Sequence, residues 1–398
     1  MTTVAPTMRP ADAATTAWDA IVIGAGPAGA FTALQLARAG ARTLLVDRKP
    51  FPRAKVCGGC VNARAVAILE GAGLGDEMRA AGARPVSAIQ LRTNNRQAGL
   101  PLPPGLAITR ATLDAIIVRA AIAAGAEFAC ASGAAEPGEG PDAGVRRVRL
   151  SNPDTPPVKA SAKIVITADG LGNGALRDAE AFESMVDPTA RIGVGVVADP
   201  GTVPATAGVI TMIVAPDGYV GIAMVENGRV NIAAALDPAT LKAHGSPGAA
   251  VRAILATAGV AAGPALDTLD WQGTLPLTRR LSNIAGHRLF VLGDAAGYVE
   301  PFTGEGMAWA LASAESLAPL ALRAIAQWDA SIPLAWQRTY DATVTQSQRS
   351  CRTVARALRH PSLVGAAVAA LSHWPSLARP IVSRVALGRA GAPLGTTR

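Results

Sequence analysis

The sequence predicts an α/β fold: a parallel-sheet domain assembled from discontinuous segments, with an inserted antiparallel β domain and a helical C-terminal region. Three observations predict it. The chain opens with a βαβ pattern, in which the apolar run Asp19-Ala-Ile-Val-Ile-Gly24 enters a Gly-rich turn, a helical stretch and a second apolar run, Thr43-Leu-Leu-Val-Asp47. From Arg191 to Leu236 strand patterns follow one another with hardly a helix between them. Arg288-Leu-Phe-Val-Leu-Gly293 then returns to a parallel-type strand, followed by a helical stretch from about Gly304 to Ala326. The expected organisation is a frayed leader over 1–17, the first part of the parallel domain over 18–182, the antiparallel domain over 183–272, the last part of the parallel domain over 273–326, and a helical, Arg-rich region over 327–398.

Taken in order, the first helix is expected over Ala28 to Ala39, with Gly40 as its stop. Asn62 is placed to cap a helix from Ala63 to Leu69, and Leu113 to Ala124 reads as an Ala-rich helix. Glu127 to Ser132 and Val145 to Leu150 read as strands around a Gly/Pro/Glu turn, and Ile164 to Ala168 as a buried strand ending in Asp169-Gly170. Within the antiparallel stretch, Gly218 to Val225 and Arg229 to Leu236 flank Asn227-Gly228, a hairpin signal.

Composition excludes several classes. With 398 residues, 50% apolar and 17% charged, the chain is too apolar to be disordered. Cysteines only at 57, 60, 130 and 351 make no disulfide framework and suit a reducing compartment. Residues 1–17 hold no apolar signal-peptide core, and the uncharged stretch Pro361 to Ala378 is broken by Gly365, Ser372, His373 and Pro375, so a cytoplasmic chain without a membrane-spanning helix is expected. The net charge of +8 comes from the C-terminal end, where residues 338–398 carry nine Arg against Asp341 alone. Arg349, Arg352, Arg356 and Arg359 fall on one helical face beside that uncharged stretch. This suits peripheral contact with an anionic membrane; the alternative is a solvated helix packed on its own protein. No aromatic interleaving or nucleic-acid motif accompanies the arginines, so nucleic acid is not an expected partner.

Gly24-Ala-Gly26-Pro-Ala28-Gly29 lies between strand and helix, where a phosphate cradle must lie. Asp47, 18 residues after Gly29, is placed to accept from a ribose, with Arg48 beside it as a further contact. The spacing of strand, turn, helix and acidic residue points to dinucleotide binding. Some 270 residues on, Gly293-Asp294 runs into Pro301 and Gly304-Glu305-Gly306: a second strand delivering an acidic residue beside a Gly-rich helix start, which suits a ribityl chain and the pyrimidine edge of a flavin.

With these motifs over residues 18–325, the sequence resembles the FAD-dependent oxidoreductases of the geranylgeranyl reductase type, relatives of the aromatic hydroxylases and flavin halogenases. The resemblance implies a Rossmann-type FAD domain whose inserted β domain roofs the flavin. It implies that Asp294 holds the ribityl chain, that Asp169 and Gly170 lie near the pyrophosphate, that Gly293, Pro301, Gly304, Glu305 and Gly306 line the flavin, and that Arg110 contacts FAD. Arg53-Ala-Lys55-Val-Cys57-Gly58-Gly59 is similar to the R-x-K-x-C-G-G loop of the reductase branch; Cys57, Gly58 and Lys55 are thereby candidate catalytic residues, and Arg53 a cofactor contact. Gly297, where aromatic hydroxylases usually show His, points the same way. Of the branch's aromatic Y-x-W-x-F-P lid only Tyr219 is present, and the halogenase motif W-x-W-x-I-P is absent. The expected activity is reduction of a C=C bond in an apolar, isoprenoid or polyketide-like molecule, with NADH or NADPH as electron donor. The alternative is a monooxygenase or halogenase of an aromatic or polyketide substrate; a non-catalytic FAD-binding protein is the remote one.

Cys57-Gly-Gly-Cys60 has metal-ligand spacing, but the other Cys and the four His are isolated in sequence, so no metal is expected. A redox-active disulfide is the other reading of the pair, since a thiolate beside Lys55 would be favoured. Trp271 reads as core or as pocket wall.

Overall fold

The computed structural model describes residues 3–94, 96–135, 144–153, 155–300, 302 and 304–378. Pro301, the turn over 136–143 and Arg379, Arg384, Arg389 and Arg398 lie outside the described residues.

The uninterrupted apolar runs form a sheet buried on both faces, as parallel strands require. Its order is Ala285–Gly286, Leu289–Val291, Thr155–Thr167, Ala17–Ile23, Thr43–Asp47 and Glu127–Cys130, and all neighbours but the first pair run parallel. Arg146–Asn152 pairs antiparallel with Thr155–Thr167 and carries Ser132–Ala135. Ile21, Val22, Leu44, Leu45, Ile164 and Val165 have no exposed surface. Helix Pro27–Arg38 packs between helices Arg110–Ala123 and Gly306–Ala326. Asn62 accepts from the Ala65 amide at 3.0 Å and so caps helix Ala63–Gly71 as the sequence predicts.

The second sheet runs Gln272–Pro276, Ile192–Ala198, Val230–Leu236, Gly218–Met224, Val209–Ala215, Arg84–Thr93, Arg96–Ala107 and Cys60–Val61. Asn227 (φ 60°) and Gly228 (φ 70°) turn the predicted hairpin with two positive φ angles. The sheet is wider than the stretch 183–272. It takes in Arg84–Thr93, which pairs parallel with Val209–Ala215, and Arg96–Ala107. Both strands lie outside the stretch 183–272 expected for the antiparallel domain: Pro101, Pro103 and Pro104 interrupt the second run, and nothing local announces a partner more than 100 residues away. Alternation along the strands gives the sheet two faces. Ile213, Val220 and Ile232 pack under Val251, Ile254 and Leu255 of helix Pro247–Thr257, whereas Met212, Val214 and Tyr219 face the other way.

At the C-terminal end, helix Ile332–Tyr340 continues through a π-turn into helix Gln346–Ala357. The Trp336 indole anchors it by donating to the Val291 carbonyl at 3.2 Å. Helix Pro361–His373 then lies across Arg96–Ala107 and Arg84–Thr93. The predicted basic face is divided: Arg349 and Arg356 are exposed, whereas Arg359 turns inward to Asp237 at 3.3 Å. Among the described residues no helix is long and apolar enough to cross a membrane.

Candidate active site and cofactor cradle

The Gly-rich turn is built for close approach. Gly24 has φ +101°, and a Cβ on Gly29 would stand 1.8 Å from the Gly24 carbonyl oxygen, so strand and helix meet at a distance only glycine allows. Asp47 braces the turn: its Oδ2 accepts from the Ala25 amide at 2.9 Å and from Arg53 at 3.0 Å, and its Oδ1 from the Lys49 amide at 3.0 Å. Arg48 is exposed and outside the cavity wall.

Beside the turn stands a buried charge network. Arg110 makes a bidentate pair with Asp114, Nε to Oδ1 at 2.7 Å and Nη2 to Oδ2 at 2.8 Å, and Arg53 reaches the same carboxylate at 3.3 Å. Burial opposes the Arg110 charge, but Asp114 outweighs it and drives that pKa up. The Arg110 Nη2 lies 3.5 Å from the Cβ position of Gly26, and the Arg53 Nη2 lies 4.0 Å from it. Two cations and the N-terminus of helix Pro27–Arg38 therefore converge where an anionic diphosphate would lie.

The second motif closes on the first, since a Cβ on Gly293 would stand 2.8 Å from the Ala28 Cβ. Asp294 lines the resulting cavity, whose volume is about 190 Å³. Burial lifts its carboxyl pKa, while Lys55 and Arg110 pull the other way. Asp169 accepts from the Ala175 amide at 2.9 Å through Oδ2, and its Oδ1 is buried without a partner. Burial raises this carboxyl too. The Lys55 Nζ lies 2.9 Å from the Cβ position of Gly170; desolvation in the cleft and the nearby Arg110 and Arg53 hold its pKa below the ordinary lysine value. A glycine cradle, two cations, an unpartnered buried acceptor and an acidic residue on the cavity wall fit FAD.

The cavity wall brings together Lys55, Cys57, Gly58, Tyr219, Gly304 and Gly306, residues 250 positions apart in sequence. Cys57 is held by two bonds around its backbone: its Sγ accepts from the Gly59 amide at 3.4 Å and its carbonyl from Asn231 at 2.8 Å. Burial pushes its thiol pKa up, with Arg110 opposing, and that of Cys60 to about 12. This corrects the expectation of a thiolate favoured by Lys55, because desolvation exceeds the nearby positive charge. Both cysteines are free, and among the described residues no group of three or more His, Cys, Asp or Glu is arranged to hold a metal.

Glu305 departs from its expected place. It is buried on the far side of the motif, where it contacts Cys351 rather than the cavity. Trp271 is also off the cavity, its indole donating to the Leu266 carbonyl at 2.8 Å at the edge of the core under the second sheet. Tyr219 is central: Phe302 meets its ring edge-on at 5.1 Å, Arg191 lies 5.8 Å from its centroid, and its hydroxyl bonds Glu300. Sequence reasoning missed Asp114, Asn231, Tyr298, Glu300 and Phe302. Only Asp114 left a signal, four residues after Arg110 on one helix face.

The model of the FAD binding domain family matches residues 17–327. The chain belongs to that family. Over 57 residues it is 51% identical to the menaquinone reductase of Mycobacterium tuberculosis (strain ATCC 25618 / H37Rv), a match that spans 14% of this chain and 14% of that relative's length. The flavin-dependent brominase Bmp2 superposes with a TM-score of 0.78 at 16% identity, over 93% of this chain and 94% of that one. The myxobacterial chondrochloren halogenase CndH superposes with a TM-score of 0.70 at 20% identity, over 84% and 81%. At these identities the likeness is one of fold. The protein thus carries this family's FAD domain.

Proposed function

We propose that this enzyme is an NAD(P)H-dependent monooxygenase of an apolar aromatic or polyketide-like molecule. The observation that carries the reading is the roof of the cavity. Ile89, Leu102, Ile210 and Met212 present hydrocarbon, and among them stands the Tyr219 ring with a hydroxyl that burial keeps protonated and Glu300 orients. Such a wall excludes water, and a neutral phenol whose O–H is given to Glu300 keeps its oxygen as an acceptor for a hydroxyl on a ring. An isolated C=C bond has no use for it.

Bound FAD supplies a two-electron relay: NAD(P)H, a proton, O₂ and the substrate C–H become NAD(P)⁺, water and a C–OH group. The chain's own residues bind and orient. Arg110, Arg53 and the Gly turn would take the diphosphate and Asp294 the ribityl hydroxyls, while Lys55 on the cavity wall would lie near charge that builds on reduction.

A second reading, reduction of a C=C bond, is favoured by the loop Arg53 to Gly59 and by the short match to menaquinone reductase. The discriminating experiment is turnover of the FAD-loaded enzyme with NAD(P)H and a lipophilic host extract under ¹⁸O₂, with and without bromide. One ¹⁸O atom in the product supports oxygenation. A product carrying two added hydrogens, formed equally without oxygen, sinks it in favour of the reductase, and bromide incorporation sinks it in favour of halogenation.

A further inference from the structure

A second cavity of about 370 Å³ lies behind the first, between the second sheet and the C-terminal helices. Its floor is the strand pair Arg84–Thr93 and Arg96–Ala107, contributing Ile89, Leu91, Leu100 and Leu102. Its outer wall is Val354 and Leu358 with Val364, Val368 and Leu371 of helix Pro361–His373. That wall belongs to a region beyond the residues matched by the family model. Among the described residues lining it, no side chain is charged, and Asn62, the one amide, has its Oδ1 engaged in its helix cap.

The two cavities share Cys60, Ile89, Leu102, Ile210 and Phe302 as a common wall. Phe302 has one edge against Tyr219 and borders both spaces, so it forms the partition between them. The outer end opens at Leu363, which lines the second cavity and is 57% exposed. A cavity with almost wholly hydrocarbon walls, open at one end, has little use for a polar ligand.

We infer that the second cavity binds the aliphatic chain of the substrate, entering past Leu363, while the group to be oxidised lies beyond Phe302 under Tyr219. The ligand class is an amphipathic molecule with a compact ring or unsaturated head and an unbranched or prenyl-like tail. This rests on the apolar-substrate reading above, but its test measures binding alone.

The test uses the FAD-loaded enzyme and two homologous series, 4-alkylphenols and 1-alkanols from butyl to decyl. The phenols are followed by the visible absorbance of bound FAD and the alkanols by competition with butylphenol. Each buried methylene is expected to tighten binding about fourfold in both series. Ala367→Trp, at the exposed rim of the cavity, is expected to flatten the increase for the longer members while leaving butylphenol within about twofold and FAD content unchanged. A flat series in the wild type, no binding by either series, or equal weakening of butyl and decyl members in Ala367→Trp overturns the inference. Absence of ¹⁸O in a product leaves it standing, because the alkanols have no ring to react; a flat chain series leaves oxygenation standing.

Discussion

At Asp294 two physical effects compete for one carboxylate. Desolvation favours the protonated form, and the Lys55 and Arg110 charges favour the ionised one; the net shift is upward. A raised folded-state pKa contributes stability that is fully present below the unfolded carboxylate value and is lost as pH rises through the folded one. Asp294→Asn removes that titration. In the FAD-free protein the variant is therefore expected to melt above the wild type at pH 7, with the gap closing as pH falls toward 4. Thermal melts across that range check it, and a gap that widens in acid would mean that Lys55 and Arg110 win. The same competition acts on Asp169 and Glu300, both raised by burial. Apolar walls around these acids set the site's electrostatics as much as the arginines do.

The glycine turn, between strand Ala17–Ile23 and helix Pro27–Arg38, separates folding from binding within four residues. At Gly29 an added Cβ meets backbone at 1.8 Å, whereas at Gly26 the nearest atom is the Arg110 Nη2 at 3.5 Å, an ordinary van der Waals distance. Gly29→Ala is expected to fail to accumulate as folded protein. Gly26→Ala should melt within about 1 °C of wild type when FAD-free, yet bind FAD at least tenfold more weakly, because its methyl occupies the diphosphate's approach. Titration of the FAD-free variant with FAD checks this, and wild-type affinity in Gly26→Ala would remove the diphosphate from that place. This turn was legible in the sequence because strand, glycines and helix are contiguous and each glycine answers a local steric demand. The same holds for the Asn62 cap and the Asn227-Gly228 hairpin. What could not be read was set by distant partners: the parallel pairing of Arg84–Thr93 with Val209–Ala215, the Phe302–Tyr219 contact, and the turning of Glu305 toward Cys351. A motif fixes backbone near a ligand but not the side toward which a neighbouring side chain points, and that is why Glu305 was misplaced and Glu300 missed.

Across the whole molecule, apolar cavity, apolar surface and positive charge meet at one end. Leu363 at the cavity mouth, Trp374 and Leu377 are each more than half exposed. Exposed Arg349 and Arg356 stand on the preceding helix, and residues 346–378 contain no Asp or Glu. Large exposed apolar side chains are costly to leave in water, and exposed arginines seek anions, although Arg356 already feels the Asp187 carboxylate. An anionic bilayer offers both partners, and it is also where an amphipathic substrate would be dissolved, beside the mouth of the second cavity. The FAD-loaded enzyme is expected to sediment with vesicles of phosphatidylcholine containing 30% phosphatidylserine, less so as salt is raised, and poorly with phosphatidylcholine alone. At about 1 kcal/mol per arginine near such a surface, Arg349→Gln with Arg356→Gln should weaken partitioning roughly 30-fold. Both side chains are exposed, so FAD content and thermal stability should hold. Equal partitioning of variant and wild type, or no preference for the anionic lipid, would return the arginines to the role of a solvated helix face and leave the cavity to be filled from solution.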